Sequence, residues 1–137
     1  YNGDDEDRDG IPDAVQTLAT QIAAADGIVI STPEYNAAIP GVLKNALDWV
    51  SRVKPGPWAG KPVAIMSAAA GRAGGVRGQT MLRTCMTPFS VRIVAASEIA
   101  IAGAGSEFDE AGQLTSERYT ASVQRLMDAL RKEIGQN

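Results

Sequence analysis

Apolar positions recur along the chain with helical and strand-like periods in alternation. After Pro12, a residue the first turn of a helix tolerates, Val15, Leu18, Ala19, Ile22 and Ala25 fall at helical spacing, and Asp26-Gly27 ends the run. The β-branched cluster GIVIS, residues 27–31, predicts a strand buried on both faces. Beyond Thr32-Pro33-Glu34-Tyr35-Asn36 the chain turns again at Pro40-Gly41, and Val42, Leu43, Ala46, Leu47 and Val50 then form one apolar helical stripe. A turn-rich connection, KPGPWAG, leads to a second strand, KPVAIMS (61–67), and to the glycine-rich AAAGRAGGVRG (68–78). A helix is predicted from about Gln79, with Leu82, Cys85 and Met86 inward and a stop at Pro88. VRIVA (91–95) and EIAIAG (98–103) read as a third strand with an interruption. Residues 104–114 read as a loop, and a last helix from about Ser116 buries Tyr119, Val123, Leu126, Leu130 and Ile134. The opening YNGDDEDRDG is acidic and is expected to be flexible.

Helices alternating with strands in this order predict an α/β fold, a parallel sheet covered on both faces through right-handed crossovers. At 137 residues the chain makes one domain with a sizeable core. A formal net charge of −3 argues against nucleic acid or an anionic membrane as the main partner. No apolar run is long enough to span a bilayer and no signal-peptide pattern opens the chain. A single cysteine, Cys85, forms no internal disulfide, which predicts a reducing, cytoplasmic home. Histidine is absent, which removes Ser-His-Asp and Cys-His activation and His-based zinc sites. Any redox or transfer chemistry is then expected to be carried by a cofactor.

Ligands of open parallel sheets sit beyond the carboxyl ends of the strands. Two loops occupy that place: residues 32–36, with a Tyr ring, an Asn amide and a Pro-fixed backbone, and residues 67–75, with small side chains and glycines that allow close approach to main chain. Together they suit a planar heteroaromatic ring. The plainer reading is that Tyr35 packs over the sheet end and the glycines only turn the chain.

The runs TPEYNAAIPGVLKNALDWVSR and GKPVAIMSAAAGRAGGVRGQTMLR resemble the NADPH-dependent FMN reductase family of flavodoxin-like proteins, which includes quinone, chromate and azo reductases. The resemblance is strong across residues 27–83, extends upstream to Tyr1-Asn2 and fades to hydrophobic pattern after about residue 100. It implies a flavodoxin-like three-layer sandwich in which Pro33, Glu34, Tyr35 and Asn36 hold the isoalloxazine ring of FMN, bordered on its other side by Ser67, Ala68, Ala69 and Gly71. It further implies hydride relay from NADPH or NADH through FMN to a quinone, chromate, an azo compound or free flavin, with no catalytic acid or base and no metal. A homodimer or homotetramer is implied too, with Trp49 and its helix as a candidate interface. The family's first strands and its phosphate-gripping loop have no counterpart ahead of Tyr1, so the domain is expected to be N-terminally incomplete, and Ala69 stands where many relatives carry Ser or Thr. The alternative is a flavodoxin-like module that binds flavin without turnover or is purely structural.

Other features are weighed down by their context. Asp5, Asp7 and Asp9 match the start of a calcium loop, but the twelfth position is Gln16 instead of Glu, and a solvated acidic linker is the preferred reading. GPWAGK is one residue short of a phosphate loop and precedes a strand instead of following one. Cys85 reads as a small buried hydrophobe. Arg77 and Glu98 are either surface charge or a pair across a subunit contact, and Arg72 faces either a nicotinamide phosphate or solvent.

Overall fold

A computed structural model describes residues 1–135. In chain order the elements are α1 (Gly3–Asp9), α2 (Asp13–Ala24), β1 (Ile28–Thr32), α3 (Gly41–Val50), β2 (Pro62–Ala69), α4 (Val76–Met86), β3 (Arg92–Ile93), β4 (Ile99–Ala102) and α5 (Glu117–Ile134). β2 is the central strand. β1 pairs with it in parallel from Ile28↔Val63 to Thr32↔Ser67. On its other side β3 pairs with Pro62 and Val63, and β4 pairs with residues Met66 to Ala69. The expected third strand is therefore one lane filled by two pieces, broken over residues 95–98, which are exposed.

Two apolar cores sandwich the sheet. Ala19 and Ile22 of α2, Leu47 and Val50 of α3, and Leu82 and Met86 of α4 pack with Val63 and Ile65 on one face. On the other, Leu126 and Leu130 of α5 pack with Ala64, Ile99 and Ile101. The alternation along β2 sends Val63 and Ile65 one way and Ala64 the other, as the two-residue repeat of a strand requires. Coverage is incomplete at β1, correcting the expectation of a strand buried on both faces. Ile28 and Ile30 pack against the first core, but Val29 faces the other side and is 40% exposed. α5 comes close at the entry to β1, where a Cβ on Gly27 would strike Ile134 and Leu130.

Helical phase explains two further departures. Leu47 and Val50 are buried on α3 while Val42 is 77% exposed, because Val42 lies about 100° around the helix from Leu43. Leu18 is likewise exposed beside the buried Ala19 and Ile22.

The acidic opening is helical instead of flexible. The Asn2 side chain accepts from the Asp4 amide at 3.0 Å and caps α1. Asp4, Asp5 and Glu6 sit in the first turn and Arg8 in the last, the charge order that a helix dipole favours. Arg8 bridges Asp5 and Asp9, so two of the three calcium-like acids are paired to a cation on this helix. α1 is fastened to α3 by side chains: the Tyr1 ring meets Trp49 edge-on at 5.0 Å, and Arg52 donates to both oxygens of Glu6, which also accepts from the Tyr1 hydroxyl. Trp49 is consequently half-buried within its own chain. Lys61 donates to the carbonyls of Ala23 and Ala25 at 2.7 and 2.6 Å, filling acceptors that the end of α2 leaves open.

The Tyr1 hydroxyl and then the Arg52 guanidinium hold the Glu6 carboxyl below its usual range. A depressed carboxyl contributes stability that is complete above the unfolded value and is lost as pH falls through the folded one. Acidification below about pH 4 is therefore expected to release α1 before the core melts, read as a change in Trp49 fluorescence. Arg52→Ala should move that change to higher pH, and an unmoved transition would contradict the assignment.

Candidate cofactor cleft at the carboxyl ends of the strands

The register sets Thr32, the last residue of β1, opposite Ser67, two residues before the end of β2, so the loops that follow the two strands leave the sheet at neighbouring levels on the same edge. They face each other across a cleft of about 680 Å³. Pro33, Glu34 and Tyr35 form one wall, and Ala68, Ala69 and Gly71 belong to the other, with Arg72, Arg77 and Ala104 at its borders. A second hollow of about 560 Å³ lies between α3, the 54–60 connection and the end of α4, and includes Trp58, Cys85 and Phe89. It sits toward the amino end of β2, away from the two loops.

The first wall is a tight turn. The Tyr35 and Ala38 amides and carbonyls bond reciprocally at 3.0 Å, and Asn36 and Ala37 both take left-handed backbone, φ 51° and 63°. That is the two-residue turn whose twist suits a hairpin, and Asn is the side chain that best tolerates its first position. The turn holds Tyr35 outward, 63% exposed, beside an open slot. Asn36 stands at the apex, exposed and outside the cleft lining.

The second wall rests directly on the sheet. Gly74, at φ 60°, lies against the Ala100 backbone so closely that a Cβ would come within 2.6 Å of its carbonyl carbon, and a Cβ on Gly75 would come within 2.9 Å of Ser67. Ser67 is beneath the loop instead of in the cleft: 1% exposed, it donates to the Gly74 carbonyl at 2.6 Å. Ala68, Ala69 and Gly71 thus offer main chain with little side chain in front of it.

The two walls are stitched together by Glu34. Its carboxylate accepts from the Arg77 and Gly78 amides at 3.0 and 3.4 Å, and Arg77 Nη1 approaches it at 3.3 Å. α4 has a glycine at its N-cap and no capping side chain of its own, so a residue 43 positions away supplies the acceptor. This also explains why α4 begins at Val76, three residues before its predicted start. Gly78 has to be small here, since a Cβ would come within 3.1 Å of the Pro33 carbonyl oxygen. Arg77 is thereby engaged within its own chain, while Glu98 lines a separate hollow with Arg118 and Arg125. Arg72 is exposed at the cleft mouth. Gln79, read from the sequence only as a helix start, is fully buried beneath the cleft. Its signal was its place three residues before Leu82, on the inward stripe of α4.

Fold and cleft define a flavodoxin-like α/β protein with a ring-sized site at the sheet's carboxyl edge. The family model for NADPH-dependent FMN reductase matches residues 1–106, and the chain belongs to that family. It is 41% identical over 121 residues to an NAD(P)H-dependent FMN reductase of Pseudomonas aeruginosa, covering 88% of this chain and 65% of that protein. It is 52% identical over 83 residues to a quinone reductase of Escherichia coli, covering 61% of this chain and 44% of that one. Among solved structures, FerB, a flavoenzyme NAD(P)H:(acceptor) oxidoreductase from Paracoccus denitrificans, superimposes with a TM-score of 0.86 at 29% identity, over 99% of this chain and 74% of that chain. The chain thus spans less than two thirds of the length of these two curated relatives.

Replacing Ala37 by Gly should raise stability by about 0.5–1 kcal/mol, the left-handed penalty relieved less the added chain entropy of glycine. Gly74→Ala should instead cost more than ~2 kcal/mol, because strain and a backbone clash add. Glu34→Ala should cost about 1 kcal/mol through the lost cap, and Arg77→Ala about half that or less, since its side chain is mostly exposed. Urea midpoints of the four variants check the order.

Proposed function

We propose that the protein carrying this chain is an NAD(P)H-dependent FMN oxidoreductase, with a quinone as its best-supported acceptor. The observation that carries the reading is the slot itself: an outward Tyr35 faces a wall of small residues whose main chain is accessible. Those surfaces fit a flat tricyclic ring, with Pro33, Glu34 and Tyr35 on one side and Ala68, Ala69 and Gly71 on the other, while Asn36 forms the turn that presents Tyr35. Ser67 acts from below by holding the second wall. The chemistry supplied by bound FMN is hydride exchange with a nicotinamide and onward reduction of an acceptor. The chain contributes position, exclusion of water from one ring face and a cation, Arg72, at the mouth where a nicotinamide phosphate would pass. Quinone is favoured by the names of the Escherichia coli relative and of a 2-hydroxy-1,4-benzoquinone reductase of Burkholderia that is 39% identical over 118 residues. Chromate, azo compounds and free flavin are the wider acceptors considered for this family.

Val42 on α3 and Met81 on α4 leave apolar surface exposed, which supports a homodimer or homotetramer. Trp49 contributes less to that surface than its sequence position suggested, being covered by Tyr1. No described helix is long and apolar enough to cross a membrane, and with one free cysteine the reading is of a cytoplasmic enzyme.

Anaerobic addition of NADPH or NADH to the FMN-loaded protein should bleach the flavin absorbance, and a quinone should restore it. Tyr35→Ala should weaken FMN binding about fivefold, the scale of one aromatic contact. Bound flavin that never bleaches would replace the enzyme with a carrier. Failure to take up FMN at all would sink both readings.

A further inference from the structure

Beneath the glycine wall, the buried side chain of Gln79 joins three chain segments. Its Nε2 donates to Ser67 Oγ on β2 at 2.8 Å and to the Ile99 carbonyl at the start of β4 at 2.7 Å. Ser67 in turn donates its one hydroxyl proton to the Gly74 carbonyl in the loop. That assignment leaves Ser67 Oγ and the Ile99 carbonyl as two acceptors in need of donors. A side-chain amide nitrogen carries two protons on one atom, and both are used here. Gln79 Oε1, by contrast, is buried and accepts from no group among the described residues. An unmet buried acceptor is costly, so a residue kept in spite of it is explained by what its other end holds.

We infer that Gln79 is a positioning residue for the cofactor cleft: through Ser67 it fixes the height of the 70–76 loop above the ends of β2 and β4, and so sets the depth of the slot without touching the ligand. The close seat of Gly74 on Ala100 and of Gly75 on Ser67 supports this. The loop is already in contact with the sheet at both glycines, so a change in the hydrogen bonds beneath it has no slack to absorb it. For FMN affinity the inference rests on the function proposed above; for the loop itself it stands alone.

The test compares Gln79→Leu and Ser67→Ala with Leu82→Ala, a core truncation on the same helix facing the first core. Amide hydrogen exchange is followed across residues 70–76 of the full chain without ligand, alongside thermal midpoints. Gln79→Leu and Ser67→Ala should each speed exchange of the Gly74 and Val76 amides, which bond to the Gly71 and Ala73 carbonyls, tenfold or more. Leu82→Ala should lower the midpoint without that local change. In Gln79→Glu the loop should stay protected at acid pH, where a neutral acid still donates one bond, and lose protection as pH rises. Loop exchange in Gln79→Leu and Ser67→Ala no faster than in Leu82→Ala overturns the inference, as does a pH-independent Gln79→Glu. FMN titration is the second arm, with about a tenfold weaker Kd expected for Gln79→Leu. If the unaltered protein takes up no FMN, the proposed function fails while the exchange data still decide the role of Gln79.

Discussion

The in-register parallel pairing of β1 with β2 is the constraint on which the site depends. Thr32 opposite Ser67 means that β1 ends within two residues of the end of β2, and each then hands its chain to a loop at the same edge. Parallel strands require long crossovers, and α3 with the 54–60 connection supplies this one. Had the register been offset by several residues, Tyr35 and the glycine loop would not face one another. The helices on the first face secure the register by filling the space above Ile28, Ile30, Val63 and Ile65.

Around that edge the polar groups divide into two kinds of work. Those that face the cleft are sparse: an aromatic ring, accessible main chain and a few charges at the mouth. Those behind it are held by internal bonds, apart from Gln79 Oε1. Glu34 satisfies amides of α4 that would otherwise lack an acceptor, Ser67 satisfies Gly74, and Gln79 satisfies Ser67 and Ile99. Rigid support behind and open chemistry in front is the arrangement a protein without histidine needs if a bound group is to do the redox work, because position is then its main contribution.

α1 shows how a local signal is overlooked when only apolar pattern is followed. Its sequence has no hydrophobic stripe and reads as a solvated acidic stretch. Yet Asn2 at the cap, three acids in the first turn and Arg8 in the last form a complete helix signature. Tyr1 and Glu6 then fasten it to Trp49 and Arg52, forty-odd residues away, by contacts that no short window contains.

What the sequence determined by itself is the element order from the helix after Pro12 onward, the two loops at the strand ends and the inward stripes of α4 and α5, since periodicity and turn residues are local properties. The run from Thr32 to Arg52 was specific enough to identify the family before any fold was known. Tertiary structure decided the rest. That Val29 is uncovered on one face depends on where α5 lies, that Glu34 caps a helix 43 residues away depends on the register of two strands, and that Ser67 supports the cleft from below depends on how closely Gly74 descends onto Ala100. Each is a contact between segments distant in the chain, fixed only when the sheet brings their ends together.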